Sequence, residues 1–133
     1  MIRAIAVAFA MSVLGAGIAG AEDGKIDACV KECRQCQTLC QACAASCLEE
    51  LSHDGSRKAC IKLCQDCADI CGACANIGSR GGPLERLIAA ACAEACDKCA
   101  AECGKHKDDK SCQACAEQCR RCAQECRNQA KTK

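Results

Sequence analysis

Cysteine fills the inward positions of four amphipathic stretches in this chain, and polar residues fill the positions between. The first series runs Cys29, Cys33, Cys36, Cys40, Cys43, Cys47, in steps of 4, 3, 4, 3 and 4. The second is Cys60, Cys64, Cys67, Cys71, Cys74; the third Cys92, Cys96, Cys99, Cys103; the fourth Cys112, Cys115, Cys119, Cys122, Cys126. Alternating steps of three and four average about 3.5 residues, the seam spacing of an α-helix packed on neighbours, and no other secondary structure keeps such a series on one face. Lys31, Glu32, Arg34, Gln35, Gln41, Lys62, Asp66, Asp69, Glu94, Asp97, Lys98, Glu102, Glu117, Arg120, Arg121 and Glu125 stand between the thiols and predict a solvent face. Ile61, Leu63, Ile70, Leu87 and Ile88 lie beside the seam, where they are expected to pack flanks between helices, with pairing of subunits as the alternative.

Punctuation falls between the series. Ser52-His53-Asp54-Gly55-Ser56 joins the first two, and Ile77 to Gly82 leads to Pro83, a suitable first residue for a third helix. Gly104 to Lys110 joins the last two, with Asp109 or Ser111 as the cap. The predicted helices lie near residues 26–51, 57–76, 83–103 and 110–129. Short connections make consecutive helices antiparallel, so the expected fold is all-α, an up-down-up-down four-helix bundle with a cysteine-lined core. Leu84, Glu85, Ile88 and Ala89 continue the third helix before its first thiol and predict an apolar plug at that end.

Composition sharpens this picture. Of 133 residues, 20 are Cys and one, Phe9, is aromatic. Met1 to Ala21 reads as a signal peptide, with Arg3, an apolar run from Ala4 to Leu14, and the small-residue site Ala19-Gly20-Ala21. The domain is then residues 22–133, expected to be exported to the periplasm and free of the membrane after cleavage. It holds only 12 Ile, Leu or Val, too few for an ordinary core, so disulfides, metal or oligomerisation must add stability. With Arg3 removed, 17 basic residues balance 17 acidic ones, which argues against a nucleic-acid partner or an anionic membrane surface. No acid, base or nucleophile stands apart from the thiol series, so the chain is not expected to be an enzyme.

Three chemistries compete for such a core. Disulfides suit an exported chain, but neighbouring thiols on one helix lie too far apart to bridge without strain, and none of the cysteines falls in a loop. Zinc and iron–sulfur sites use compact local groups of ligands rather than a continuous column. Copper(I) is soft, prefers thiolates and accepts two or three sulfurs, and adjacent ions can share a sulfur. Charge bounds the load: about ten ions on 20 unshared thiolates would leave a strongly anionic buried core, so the expected capacity is well above ten and approaches twenty. A disulfide-stapled structural envelope protein and a copper chaperone that serves one partner are the alternatives.

The runs beginning Cys29-x-x-x-Cys33-x-x-Cys36 and Cys60-x-x-x-Cys64-x-x-Cys67, on four helices, resemble the bacterial copper storage proteins over nearly all of residues 22–133. The resemblance implies inward thiolates holding many Cu(I) ions, assembly into a homotetramer, and a role in storing or buffering copper for copper enzymes or for detoxification. It also implies His or Met at the mouth of the bundle. Here only His53 and His106 are available, on the two connections that share one end. They are candidate mouth ligands, or two solvated loop histidines.

Overall fold

The computed structural model describes residues 21–51 and 55–132, with side chains from residue 28 onward. The expected signal peptide, Ala21 apart, and the segment holding His53 lie outside the described residues. Four helices make up the fold: α1 Ala21–Glu50, α2 Lys58–Gly78, α3 Glu85–Cys103 and α4 Lys110–Ala130, with a 3-10 turn, Gly55–Arg57, leading into α2. Helix α1 packs on α2 and α4, and α3 packs on α2 and α4, which is the square arrangement of an up-down-up-down bundle. None of the described helices is long and apolar enough to cross a membrane.

The seam is built from two small residue types. Every cysteine is buried, none more than 3% exposed. Directly after seven of them comes a buried alanine: Ala44, Ala68, Ala75, Ala93, Ala100, Ala116 and Ala123. A cysteine therefore points to the bundle axis while the next residue fills the line where two helices meet. An alanine there lets the axes approach toward the short end of the usual range of about 8–10 Å, which brings sulfurs of all four helices within reach of each other. Gly72 extends the same device: a Cβ built there would lie 2.7 Å from Gln37 Nε2 of α1.

Helix termini follow the expected punctuation at α4 and shift elsewhere: α1 begins at Ala21, α2 runs on to Gly78, and α3 starts at Glu85. Asp109 caps α4 with its side chain accepting from Cys112 N. Pro83 sits in the turn before α3 rather than in its first turn, because Gly81 takes φ +59 and Glu85 N donates to Gly82 O, so helical bonding begins two residues later. The apolar plug expected at this end is also different. Leu84 is exposed, as is Leu87, the residue expected to pack a flank between helices, and the end is closed by buried Ala89 and by Gln129, whose Nε2 donates to Glu85 Oε1. A polar pair takes the place that the sequence assigned to leucine.

Candidate metal centre

The alternating 4, 3 spacing predicts that cysteines from each helix share the bundle axis, and the structure brings them into one continuous column. Neighbouring Sγ atoms lie 3.5 Å apart at Cys33–Cys126, Cys60–Cys103 and Cys64–Cys103, and 4.0 Å apart at Cys40–Cys99. Contacts also cross the diagonals, where backbones do not meet: Cys33–Cys92 at 3.8 Å, Cys36–Cys96 at 3.8 Å and Cys64–Cys115 at 3.9 Å. All twenty thiols are free. Their separations are far beyond the ~2.05 Å of a sulfur–sulfur bond and lie in the range of about 3.8 Å between two sulfurs on one soft metal ion.

Groups of four sulfurs lie within 4.8 Å of one another along this column. Five of them are Cys29, Cys33, Cys74 and Cys126; Cys33, Cys92, Cys122 and Cys126; Cys36, Cys67, Cys71 and Cys96; Cys36, Cys40, Cys67 and Cys119; and Cys40, Cys99, Cys115 and Cys119. These five groups draw on fourteen thiols, because Cys33, Cys126, Cys36, Cys67, Cys40 and Cys119 each belong to two. Discrete tetrahedral sites would use each ligand once. A column whose groups overlap suits an ion that tolerates bridging thiolates.

Contacts between sulfurs also set the ionisation of the column. Hydrogen bonds from Cys122 and Cys126 lower the Cys33 thiol to about 7, and those involving Cys103 and Cys119 lower Cys99 to about 6. At the end of the column burial pushes the Cys47 and Cys112 thiols up, with the nearby Cys60 sulfur adding to both shifts. Metal binding must expel protons from such thiols, so loading is coupled to pH.

The two ends differ. Residues 104–109 close the end where α3 meets α4, and there the Arg57 guanidinium donates to Cys112 Sγ at 3.3 Å, the one cationic contact to a core sulfur among the described residues. His106 lies on this end half-buried, with its Nε2 shielded and without a hydrogen-bond partner, while its carbonyl accepts from Gln113 Nε2 at 2.9 Å. At the other end Cys29 and Cys74 are 3% exposed and Gln129 and Glu85 form the closing pair. Sequence reasoning missed Arg57, Gln118 and Gln129. Gln118 is buried between α1 and α4, where its Nε2 donates to Glu32 Oε2 at 2.6 Å and its Oε1 accepts from Arg121. Nothing in the spacing separates these polar residues from those that face water.

A family model described as "Copper storage protein" matches residues 22–131. Among solved structures the chain is similar to the Cu(I)-bound copper storage protein BsCsp3, at 40% identity and a TM-score of 0.76, over 80% of this chain and 98% of that one. It is similar to a cytosolic copper storage protein from Streptomyces lividans carrying five coppers, at 35% identity and a TM-score of 0.78, over 83% of this chain and 95% of that one. It is also 41% identical, over 66% of its length and 80% of the relative's, to the uncharacterized cysteine-rich protein YhjQ of Bacillus subtilis. The expected periplasmic location is corrected by these likenesses, since the Streptomyces protein that the chain resembles is a cytosolic one.

Proposed function

As the chain belongs to the copper storage protein family, we propose that all twenty of its core cysteines take up Cu(I) and hold it as a reserve, with single sulfurs bridging successive ions. The observation that carries this reading is the overlap of the four-sulfur groups, in which six thiols each serve two groups. Bridging lets each added ion cancel the charge of a thiolate already present, which a buried column requires. The half-buried Nε2 of His106, shielded and unpartnered, supports a ligand role at the mouth, and His53 on the other connection of that end is its counterpart. The role is that of a store rather than a catalyst, and the copper released supplies copper enzymes or is held out of harm's way. A homotetramer is the assembly this reading carries, and exposed Leu48, Leu84 and Leu87 are available for contacts between copies.

X-ray absorption of the copper-loaded protein tests the bridging. The account expects a sulfur-only shell with neighbouring copper scatterers; isolated copper sites without copper neighbours would overturn it. Sedimentation of the loaded protein tests the assembly, and a monomer at micromolar concentration would overturn the tetramer.

A further inference from the structure

The mouth of the thiol column is shut. Cys47, Cys60, Cys103 and Cys112 form its last layer, with Cys112 Sγ 3.7 Å from Cys47 and 3.9 Å from Cys60, and all four have no solvent exposure. The group that lies on Cys112 is Arg57, from the 3-10 turn before α2. Its Nη1 donates to Cys112 Sγ at 3.3 Å and pairs with Asp109 Oδ2 at 3.1 Å, and its Nη2 pairs with Glu50 Oε2 at 3.0 Å. Asp109 is itself fixed, since its other oxygen accepts from Cys112 N at 3.0 Å. One guanidinium is thus tied to the end of α1, to the cap of α4 and to the outermost sulfur. Its side chain is 17% exposed, so it lies in the mouth instead of extending into water.

From this geometry we propose that Arg57 is a latch: it covers Cys112, and copper enters or leaves the column by this end only when the guanidinium swings off the sulfur. The proposal rests on the storage reading for its copper, though the cover itself does not. An arriving Cu(I) binds Cys112 Sγ as the thiol proton passes to solvent, and the guanidinium, still tethered by Glu50, swings back over the loaded sulfur, so it covers the mouth in the filled column as in the empty one. The latch is a positioning residue, not a ligand. Its consequence is kinetic: the column exchanges copper slowly with small chelators, and a docking partner that draws Glu50 or Arg57 away would speed exchange.

The test uses the full chain in two states. In the reduced, metal-free protein, Arg57→Ala should make Cys112 one of the first thiols alkylated by iodoacetamide, mapped by peptide mass spectrometry, whereas in the parent protein Cys29 and Cys74 react before it. In the copper-loaded protein, release to a competing chelator should rise about tenfold in Arg57→Ala, the scale of one lost charge-assisted hydrogen bond. Glu50→Gln leaves the sulfur contact and the α4 cap in place and should raise release about two- to threefold, the scale of an exposed ion pair. It also stands in if Arg57→Ala fails to fold. Parent-like alkylation of Cys112 in Arg57→Ala overturns the cover, and parent-like release rates in both variants overturn the latch. If the protein takes up no copper, the storage reading fails while the alkylation result still decides whether Arg57 covers Cys112.

Discussion

The two ends of the bundle are closed by different chemistry. At the end formed by residues 104–109, a half-buried guanidinium is held by two carboxylates and touches a core sulfur. At the opposite end, a neutral amide, Gln129, donates to Glu85 beside Ala89, and the thiols there are the most exposed of the column. Both closures are polar in a protein whose interior is sulfur and methyl. The charged one is tied to the column and must rearrange for metal to pass. The neutral one holds two helix ends together and has one acceptor, Gln129 Oε1, left without a partner. A polar group in a buried position thus serves either exchange or closure, and its charge and its contact with sulfur decide which.

The largest effect that would sharpen this contrast lies between the middle of the column and its far end. Of the five four-sulfur groups named above, Cys40 and Cys119 each belong to two, whereas Cys29 and Cys74 fall together in one. Cys40→Ser with Cys119→Ser should cost more copper than the two sulfurs removed, and Cys29→Ser with Cys74→Ser no more than about two ions. Metal analysis at saturation reads both, and equal losses would break the bridging picture. Asp109→Ala comes next. It removes the α4 cap and frees Arg57, and should lower stability by about 1–2 kcal/mol in chemical denaturation of the metal-free protein. At the other end Gln129→Leu should change stability by less than about 1 kcal/mol, because it removes an amide whose oxygen is already unsatisfied and leaves Glu85 partly in water.

Acid should loosen the charged end first. Against a burial cost that opposes it, the Cys112 amide and the Arg57 guanidinium hold the Asp109 carboxyl below the usual carboxylate range. A depressed carboxyl contributes stability that is complete above its unfolded value of about 3.9 and is lost as pH falls through its lower folded value. Hydrogen exchange at the start of α4 should therefore rise below about pH 4, and Asp109→Asn should flatten that rise. The smallest effect is expected at Leu87, which is 69% exposed: Leu87→Glu should shift stability by no more than about 0.5 kcal/mol, where a leucine packed on a flank between helices would lose several times that.

How far the sequence carried is best judged at single residues. The steps of four and three placed all twenty cysteines on one axis, because a helix has only one way to keep that spacing on one face. Asp109 was legible as a cap because a cap acts locally, three residues ahead of Cys112. The buried alanine after each of seven cysteines was present in the sequence as a Cys-Ala repeat, yet its meaning needs a neighbouring helix to pack against. Arg57 was invisible, since its contact with Cys112 joins residues 55 positions apart through a turn whose path spacing does not encode. Leu84 and Leu87 misled for the opposite reason: hydrophobicity marks a preference for burial, but the turn at Gly81 leaves them on the outside.

The most direct test of the column is its copper count. Reduced protein titrated anaerobically with Cu(I) gains ultraviolet absorption largely through metal–thiolate bonds, because residues 22–133 contain no aromatic side chain. The account predicts an endpoint well above ten ions per chain and approaching twenty; saturation at a handful would contradict it.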